Sequence, residues 1–203
     1  MFIVRHGSAP KYAIPEIVED VRRSVRFIRL KAKGYGVDPE RLGVLGGSAG
    51  GHLALVLGTT GDDGDPKAKD EVLRQPSRVA AVLALYPPTD LREWVTNPPE
   101  IIRKHAALKP PLTFDVKKAP DCSPVVKATA KAAPALLIHG DKDELVPIEH
   151  STKFLAAMEK AKAPCKLVTI KGAAHGFSQK QNKETVLPEM TRWMEKYLEK
   201  KGK

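Results

Sequence analysis

The chain has 203 residues, 42% hydrophobic and 29% charged, which suits one domain with its own core and excludes global disorder. No apolar run approaches the ~20 residues that span a membrane, and no apolar segment with a small-residue cleavage site opens the chain, so it reads as cytoplasmic with no membrane partner. The net charge of +10 comes largely from lysines scattered over 104–203 without interleaved aromatics, which reads as a solvated surface and not a nucleic-acid site; Cys122 and Cys165 stand too far apart for a zinc or disulfide framework.

Residues 2–5 read as a short apolar strand ending in Arg5-His6-Gly7. Arg-His-Gly resembles the opening of histidine phosphatases, but Ser8-Ala9-Pro10 follows where such enzymes need an acidic residue. Pro15 opens a helix in the first-turn position that proline favours. Ile14, Ile17, Val18, Val21, Val25 and Ile28 recur at helical spacing, with Arg22, Arg23, Arg26 and Arg29 expected in water, and Gly34 and Gly36 end it. Residues 41–46 form a second apolar run and 52–57 a helix. Residues 59–70 are a Gly/Asp-rich loop, in which Asp62, Asp63 and Asp65 fit turn chemistry better than any calcium-loop spacing.

Residues 79–86 (VAAVLALY) form a continuous apolar run, as expected of a strand buried on both faces. Residues 87–131 hold eight of the seventeen prolines and read as a cap or insertion, because such a segment is neither a central strand nor one long helix. Then come a strand at 135–139, a helix at 148–162 with Phe154, Leu155 and Met158 inward, a strand at 166–170, and a last helix at 186–199. Strands alternating with helices predict an α/β fold: one domain over 1–203, a mostly parallel sheet with helices on both faces.

Gly46-Gly47-Ser48-Ala49-Gly50-Gly51 lies between an apolar strand and a helix, which is G-x-S-x-G in the context that gives it meaning. The glycines permit a sharp turn that exposes the Ser48 hydroxyl. A phosphate loop would need G-K-[ST] or G-x-G-x-x-G, and neither is present. A serine nucleophile needs a base and the base an orienting acid, and both are sought after later strands. Asp141 and Asp143 follow strand 135–139, and His175 follows strand 166–170, in the order Ser, Asp, His. His139, His52 and Asp90 read as structural.

These segments resemble the α/β-hydrolase superfamily, in particular bacterial esterases and lipases of the hormone-sensitive-lipase-like and feruloyl or acetylxylan esterase-like branches. GGSAGGHLAL (46–55) is similar to their nucleophile elbow, APKYAIPEIVED (9–20) to their helix entry, LLIHGDKDELVPIEHS (136–151) to the acid strand and loop, and GAAHGF (172–177) to the histidine loop. The resemblance implies Ser48 as nucleophile, His175 as base, Asp143 over Asp141 as acid, and the Ala49 N–H as an oxyanion donor. It implies a small-molecule ester substrate, short-chain or carbohydrate-linked, with no metal or organic cofactor. Trp94 and Phe114 would line a substrate pocket. A serine peptidase of prolyl-oligopeptidase type, or an inactive binding module, are the alternatives.

The chain departs from that pattern in having no HGGG-type oxyanion loop and no counterpart of the first three strands. Residues 2–5 are therefore expected to pair with strand 41–46, bringing a Gly7 N–H to the site as second oxyanion donor. The other expectation is a second copy covering the exposed sheet edge.

Overall fold

A computed structural model describes residues 1–8, 11–98, 100, 104 and 115–199. Four parallel strands, β1 (Gly43–Gly47), β2 (Ala81–Leu85), β3 (Ala135–Gly140) and β4 (Cys165–Ile170), lie side by side in chain order. Right-handed crossovers repeated in one direction deliver successive helices to one face of a sheet. Helices α1 (Ile14–Leu30), α2 (Ala49–Thr60) and α4 (Glu149–Lys160) accordingly share a face, while α5 (Leu187–Leu198) covers the other. A five-residue helix, α3 (Arg92–Thr96), and two short 3₁₀ turns lie in the proline-rich 87–131 segment.

Strand alternation divides the core in two. Val82, Ala84, Ala135 and Leu137 point toward α2 and α4, where Leu55, Phe154 and Met158 meet them with at most 1% exposure. Leu83, Leu136, Ile138 and Ile170 point the other way, toward Trp193, Met190, Met194 and Tyr197 of α5. Helix α2 is apolar all round because it is covered all round: the sheet lies beneath it, and Ile17, Val18, Val21 and Val25 of α1 pack against its Leu53, Val56 and Leu57.

The polar side of α1 departs from expectation. Arg22, Arg26 and Arg29 do not simply face water. Arg26 is buried and forks onto Asp62 at 2.6 and 2.7 Å, and it donates also to the Leu73 and Gln75 carbonyls. Arg29 donates to the Pro39, Pro76 and Arg78 carbonyls, and Arg22 to Thr60. A long loop without a ladder leaves carbonyls that need donors, and the guanidinium fork supplies several at once. Asp62 is thus a loop organiser, also accepting from the Gly64 N–H and the Ser77 hydroxyl.

Residues 1–8 form no strand, and among the described residues no hydrogen bond joins them to β1, which is an open edge of the sheet. The expected pairing of 2–5 with 41–46 is therefore overturned. Met1, Phe2, Ile3 and Val4 instead help line an apolar cavity of about 780 Å³ with Val21, Val25 and Ile28 of α1 and with Leu45. Phe2 meets the Tyr35 ring edge-on at 5.0 Å. Apolar periodicity reports that side chains seek cover and does not specify a hydrogen-bond ladder; here Phe2, Ile3 and Val4 edge the cavity while staying 39%, 88% and 41% exposed.

Replacing Arg26 by alanine takes the guanidinium from a partly buried carboxylate and from two loop carbonyls. Arg26→Ala is expected to lower unfolding stability by about 1.5–3 kcal/mol, read from urea midpoints at constant slope.

Candidate active site

The turn from β1 into α2 holds Ser48 at φ 52°, ψ −119°, a conformation that costs a non-glycine residue on the order of 1–3 kcal/mol. Two backbone bonds hold it there: the Ser48 N–H donates to the Leu85 carbonyl at 2.9 Å, and its carbonyl accepts from the His52 N–H at 3.0 Å. The turn is so tight that α2 rests on the strand it has just left. A Cβ at Gly46 would stand 2.2 Å from the backbone of Gly50, and one at Gly51 3.1 Å from the Leu85 carbonyl. Gly50, the second glycine of the motif, has open space where its Cβ would be. Close approach thus explains Gly46 and Gly51 but not Gly50.

The loops after β3 and β4 are joined by their backbones. The Lys142 N–H donates to the Ala173 carbonyl at 2.9 Å, and the Gly172 N–H donates to Asp141 Oδ1 at 2.6 Å. Gly140 allows this, since a Cβ there would fall 2.2 Å from the Ala173 oxygen. Asp141, the rival acid, is consumed in tying the two loops together.

This brings His175 between two partners. Its Nδ1 lies 2.7 Å from Asp143 Oδ2 and its Nε2 2.9 Å from Ser48 Oγ. The Asp143 side chain is fully buried, and its Oδ1 accepts the Leu145 and Val146 N–H groups at 3.0 and 2.9 Å. With Oδ1 so engaged, Oδ2 is left for imidazole, which dictates Nδ1–H on His175 and a free Nε2 lone pair toward Ser48. Of the expected site residues, the fold gathers Ser48, Asp143 and His175. Ala49, exposed, opens α2, whose first-turn N–H groups have no carbonyl one turn earlier.

Three further histidines surround this arrangement as structure. His139 is fully buried: its Nε2 donates to the Val146 carbonyl at 2.8 Å, with Asp143 Oδ2 at 3.2 Å, and its Nδ1 accepts from the Ser151 hydroxyl at 2.7 Å. Burial pushes its pKa down. His52 donates to the Cys122 carbonyl at 2.6 Å, and burial pushes it down to about 4. His150 Nδ1 accepts the Thr89 N–H at 3.1 Å, and burial again pushes its pKa to about 4. His52 and His150 thereby tether the 87–131 segment to α2 and α4.

Other residues singled out in the sequence have partners of their own. The half-buried Trp94 meets the His150 ring edge-on at 5.0 Å, and Asp90 accepts from Arg92. Phe114 lies outside the described residues. Gly7 packs against the Tyr12 ring, and the strand that would have carried it toward Ser48 does not form. One neighbour of the site escaped the sequence reading. Tyr86, just past β2, packs its ring 4.6 Å from the His175 ring and 5.3 Å from Phe177. Nothing in an apolar run followed by Pro-Pro announces such a contact.

A parallel sheet that carries Ser, Asp and His after successive strands, with the serine on a strained strand-to-helix turn, defines an α/β-hydrolase architecture. The chain belongs to the BD-FAE family, which it matches over residues 1–158. It is 26% identical over 178 residues to "Probable carboxylic ester hydrolase LipM" of Mycobacterium tuberculosis, covering 86% of this chain and 41% of that protein. Among solved structures it is similar to an acetyl ester-xyloside bifunctional hydrolase from Caldicellulosiruptor lactoaceticus, with 31% identity, a TM-score of 0.74, and coverage of 92% of this chain and 65% of that one. It is similar also to a propionate-bound thermophilic esterase, Est2, of Thermogutta terrifontis, with 29% identity, a TM-score of 0.74, and coverage of 98% and 72%. The chain spans about two fifths of the length of the curated relatives that head the comparison, at 41% and 43%.

Two outcomes test this geometry. Gly46→Ala drives a methyl into backbone and is expected to cost about 1–3 kcal/mol or more, whereas Gly50→Ala, in open helix, should gain up to about 1 kcal/mol; thermal unfolding ranks them. The second outcome concerns pH. His52 and His150 ionise near 6.5 when unfolded and near 4 when folded, so the unfolded chain takes up protons first. Stability is complete above about pH 6.5 and falls progressively toward pH 4. Urea midpoints measured between pH 7 and 4.5 should show this decline, and His52→Gln should make it shallower.

Proposed function

We propose that the chain is a serine carboxylesterase that hydrolyses short-chain or carbohydrate-linked carboxylic esters through an acyl-enzyme. The observation that carries this reading is the bridge from Asp143 through His175 to Ser48, at 2.7 and 2.9 Å, built from three separate loops. Related proteins support the choice of ester: one is named for acetyl ester and xyloside hydrolysis, and another was captured with propionate.

In this mechanism Ser48 Oγ attacks the ester carbonyl carbon as its proton passes to His175 Nε2. The carbonyl π pair moves onto oxygen, and the Ala49 N–H, at the positive end of α2, stabilises that oxyanion. Asp143 holds the ring by Nδ1 and stabilises the imidazolium without taking its proton. Collapse of the tetrahedral species breaks the carbon–oxygen bond to the alcohol, which leaves with the proton from Nε2. Water then gives its proton to Nε2 and attacks the acyl-serine. A second collapse returns the proton to Ser48 Oγ and releases the acid.

Hydrolysis of p-nitrophenyl acetate tests this reading. Ser48→Ala and His175→Ala should each lower kcat by about 10⁴ or more, and the double variant should be hardly worse than either, because the residues act as a unit. Asp143→Asn should cost about 10⁴ through the wrong tautomer. Asp141→Asn should cost less, since it loosens a loop tie and touches no reacting atom. Turnover that survives Ser48→Ala, or losses that simply add, would overturn the assignment.

A further inference from the structure

Three non-glycine residues adopt positive φ among the described residues, Ser48, Tyr86 and Lys162, and the first two end the neighbouring strands β1 and β2. Ser48 is accounted for by the turn. Tyr86, at φ 39°, is not: a bulky side chain gains nothing from that conformation by itself and holds it only where its surroundings insist. They do so from two sides. Its N–H donates to the Ile138 carbonyl at 2.8 Å, which anchors its backbone to β3, and Pro87 and Pro88 follow at once. The result is a ring delivered across the C-terminal end of the sheet onto the imidazole of His175, with centroids 4.6 Å apart and planes inclined by 59°.

The loop that carries His175 cannot restrain the ring itself. It reads Gly172-Ala173-Ala174-His175-Gly176, with Gly172 at φ 72° and Gly176 at φ 144°. Asp143 and Ser48 hold its two nitrogens, but two hydrogen bonds at opposite edges leave the ring free to tilt about the line that joins them. Tyr86 supplies a wall against the ring, and Phe177 backs Tyr86 at 5.3 Å. Gly47 completes the fit. A Cβ there would stand 3.1 Å from the Tyr86 hydroxyl oxygen and 3.4 Å from its ring, so the residue before the nucleophile is bare where the tyrosine passes. The hydroxyl has no hydrogen-bond partner among the described residues, and it is the ring that meets His175.

We infer that Tyr86 is a positioning residue of the proposed esterase site, its ring holding the His175 imidazole in line between Asp143 and Ser48. This deepens the serine-esterase reading and rests on it. Proton transfer through Nε2 needs the imidazole within hydrogen-bond reach of Ser48 in every step, and a ring that swings loses turnover without losing substrate affinity.

The test compares Tyr86→Ala, Tyr86→Phe and Gly47→Ala, each checked for folding by circular dichroism. Tyr86→Ala should lower kcat on p-nitrophenyl acetate by about 10–100-fold with little change in KM. Tyr86→Phe should recover most of that loss. In protein labelled with ¹⁵N-histidine, the His175 Nδ1–H resonance should be sharp in wild type and in Tyr86→Phe, and broadened by solvent exchange in Tyr86→Ala. Gly47→Ala, which presses on the ring without removing it, should fall between wild type and Tyr86→Ala in both readouts, and it carries the test if the alanine variant does not fold. A folded Tyr86→Ala with wild-type kcat and a sharp Nδ1–H would overturn the inference. So would a loss in KM alone, or a phenylalanine variant as damaged as alanine. Absence of serine-dependent turnover in wild type would sink the esterase reading, while the Nδ1–H signal would still report whether Tyr86 holds the ring.

Discussion

The meeting of β1 and α2 is the constraint on which the rest of the structure depends. The first turn of α2 lies within 2.2 Å of where a Gly46 side chain would begin, so strand and helix share one tight corner, and Ser48 has to turn at φ 52° to pass it. The strain is offset by what the corner anchors. Its N–H is tied to β2 through the Leu85 carbonyl, and α2 behind it buries Leu53, Ala54, Leu55, Val56 and Leu57 between the sheet and α1. A serine fixed to two strands and a buried helix cannot relax away from His175.

His175 arrives by a different route. Backbone bonds between the loops after β3 and β4 bring it there, made feasible by the bare Cα of Gly140. The acid loop in turn is set by His139, which is buried beside Asp143 and fixed by Ser151 and the Val146 carbonyl. Two histidines near the site thus have opposite duties. His139 has its pKa lowered by burial and holds the Asp143 loop; His175, with 21% of its side chain exposed, retains the access that the proposed proton transfers require.

The arginines of α1 and the histidines His52 and His150 show one economy of means. Long irregular segments expose carbonyls and N–H groups that no ladder satisfies. In 61–78 the donors come from Arg26 and Arg29; in 87–131 His52 donates to a carbonyl and His150 accepts an amide. The irregular segments over the helices are therefore held by charged or titratable groups, which links their stability to pH in a way the apolar core does not share.

The sequence by itself determined the alternating architecture, the four strands that pair and the order serine, aspartate, histidine, because apolar periodicity and a glycine-bounded turn are local properties. The resemblance selected Asp143, and the structure supplies the physical reason: Asp141 is spent on the Gly172 N–H. What sequence could not determine depends on contacts between segments distant along the chain. The apolar run at 2–5 looked like a strand, yet it lies along the edge of the α1 cavity, exposed and without a ladder. Arg26 looked solvated, yet a loop some fifty residues on closes over it. Tyr86 looked like the end of a buried strand; only the fold, by setting β2 beside β1 and β4's loop above both, decided that its ring would lie against His175. Periodicity states which side of an element seeks cover, and only tertiary packing chooses the neighbour that provides it.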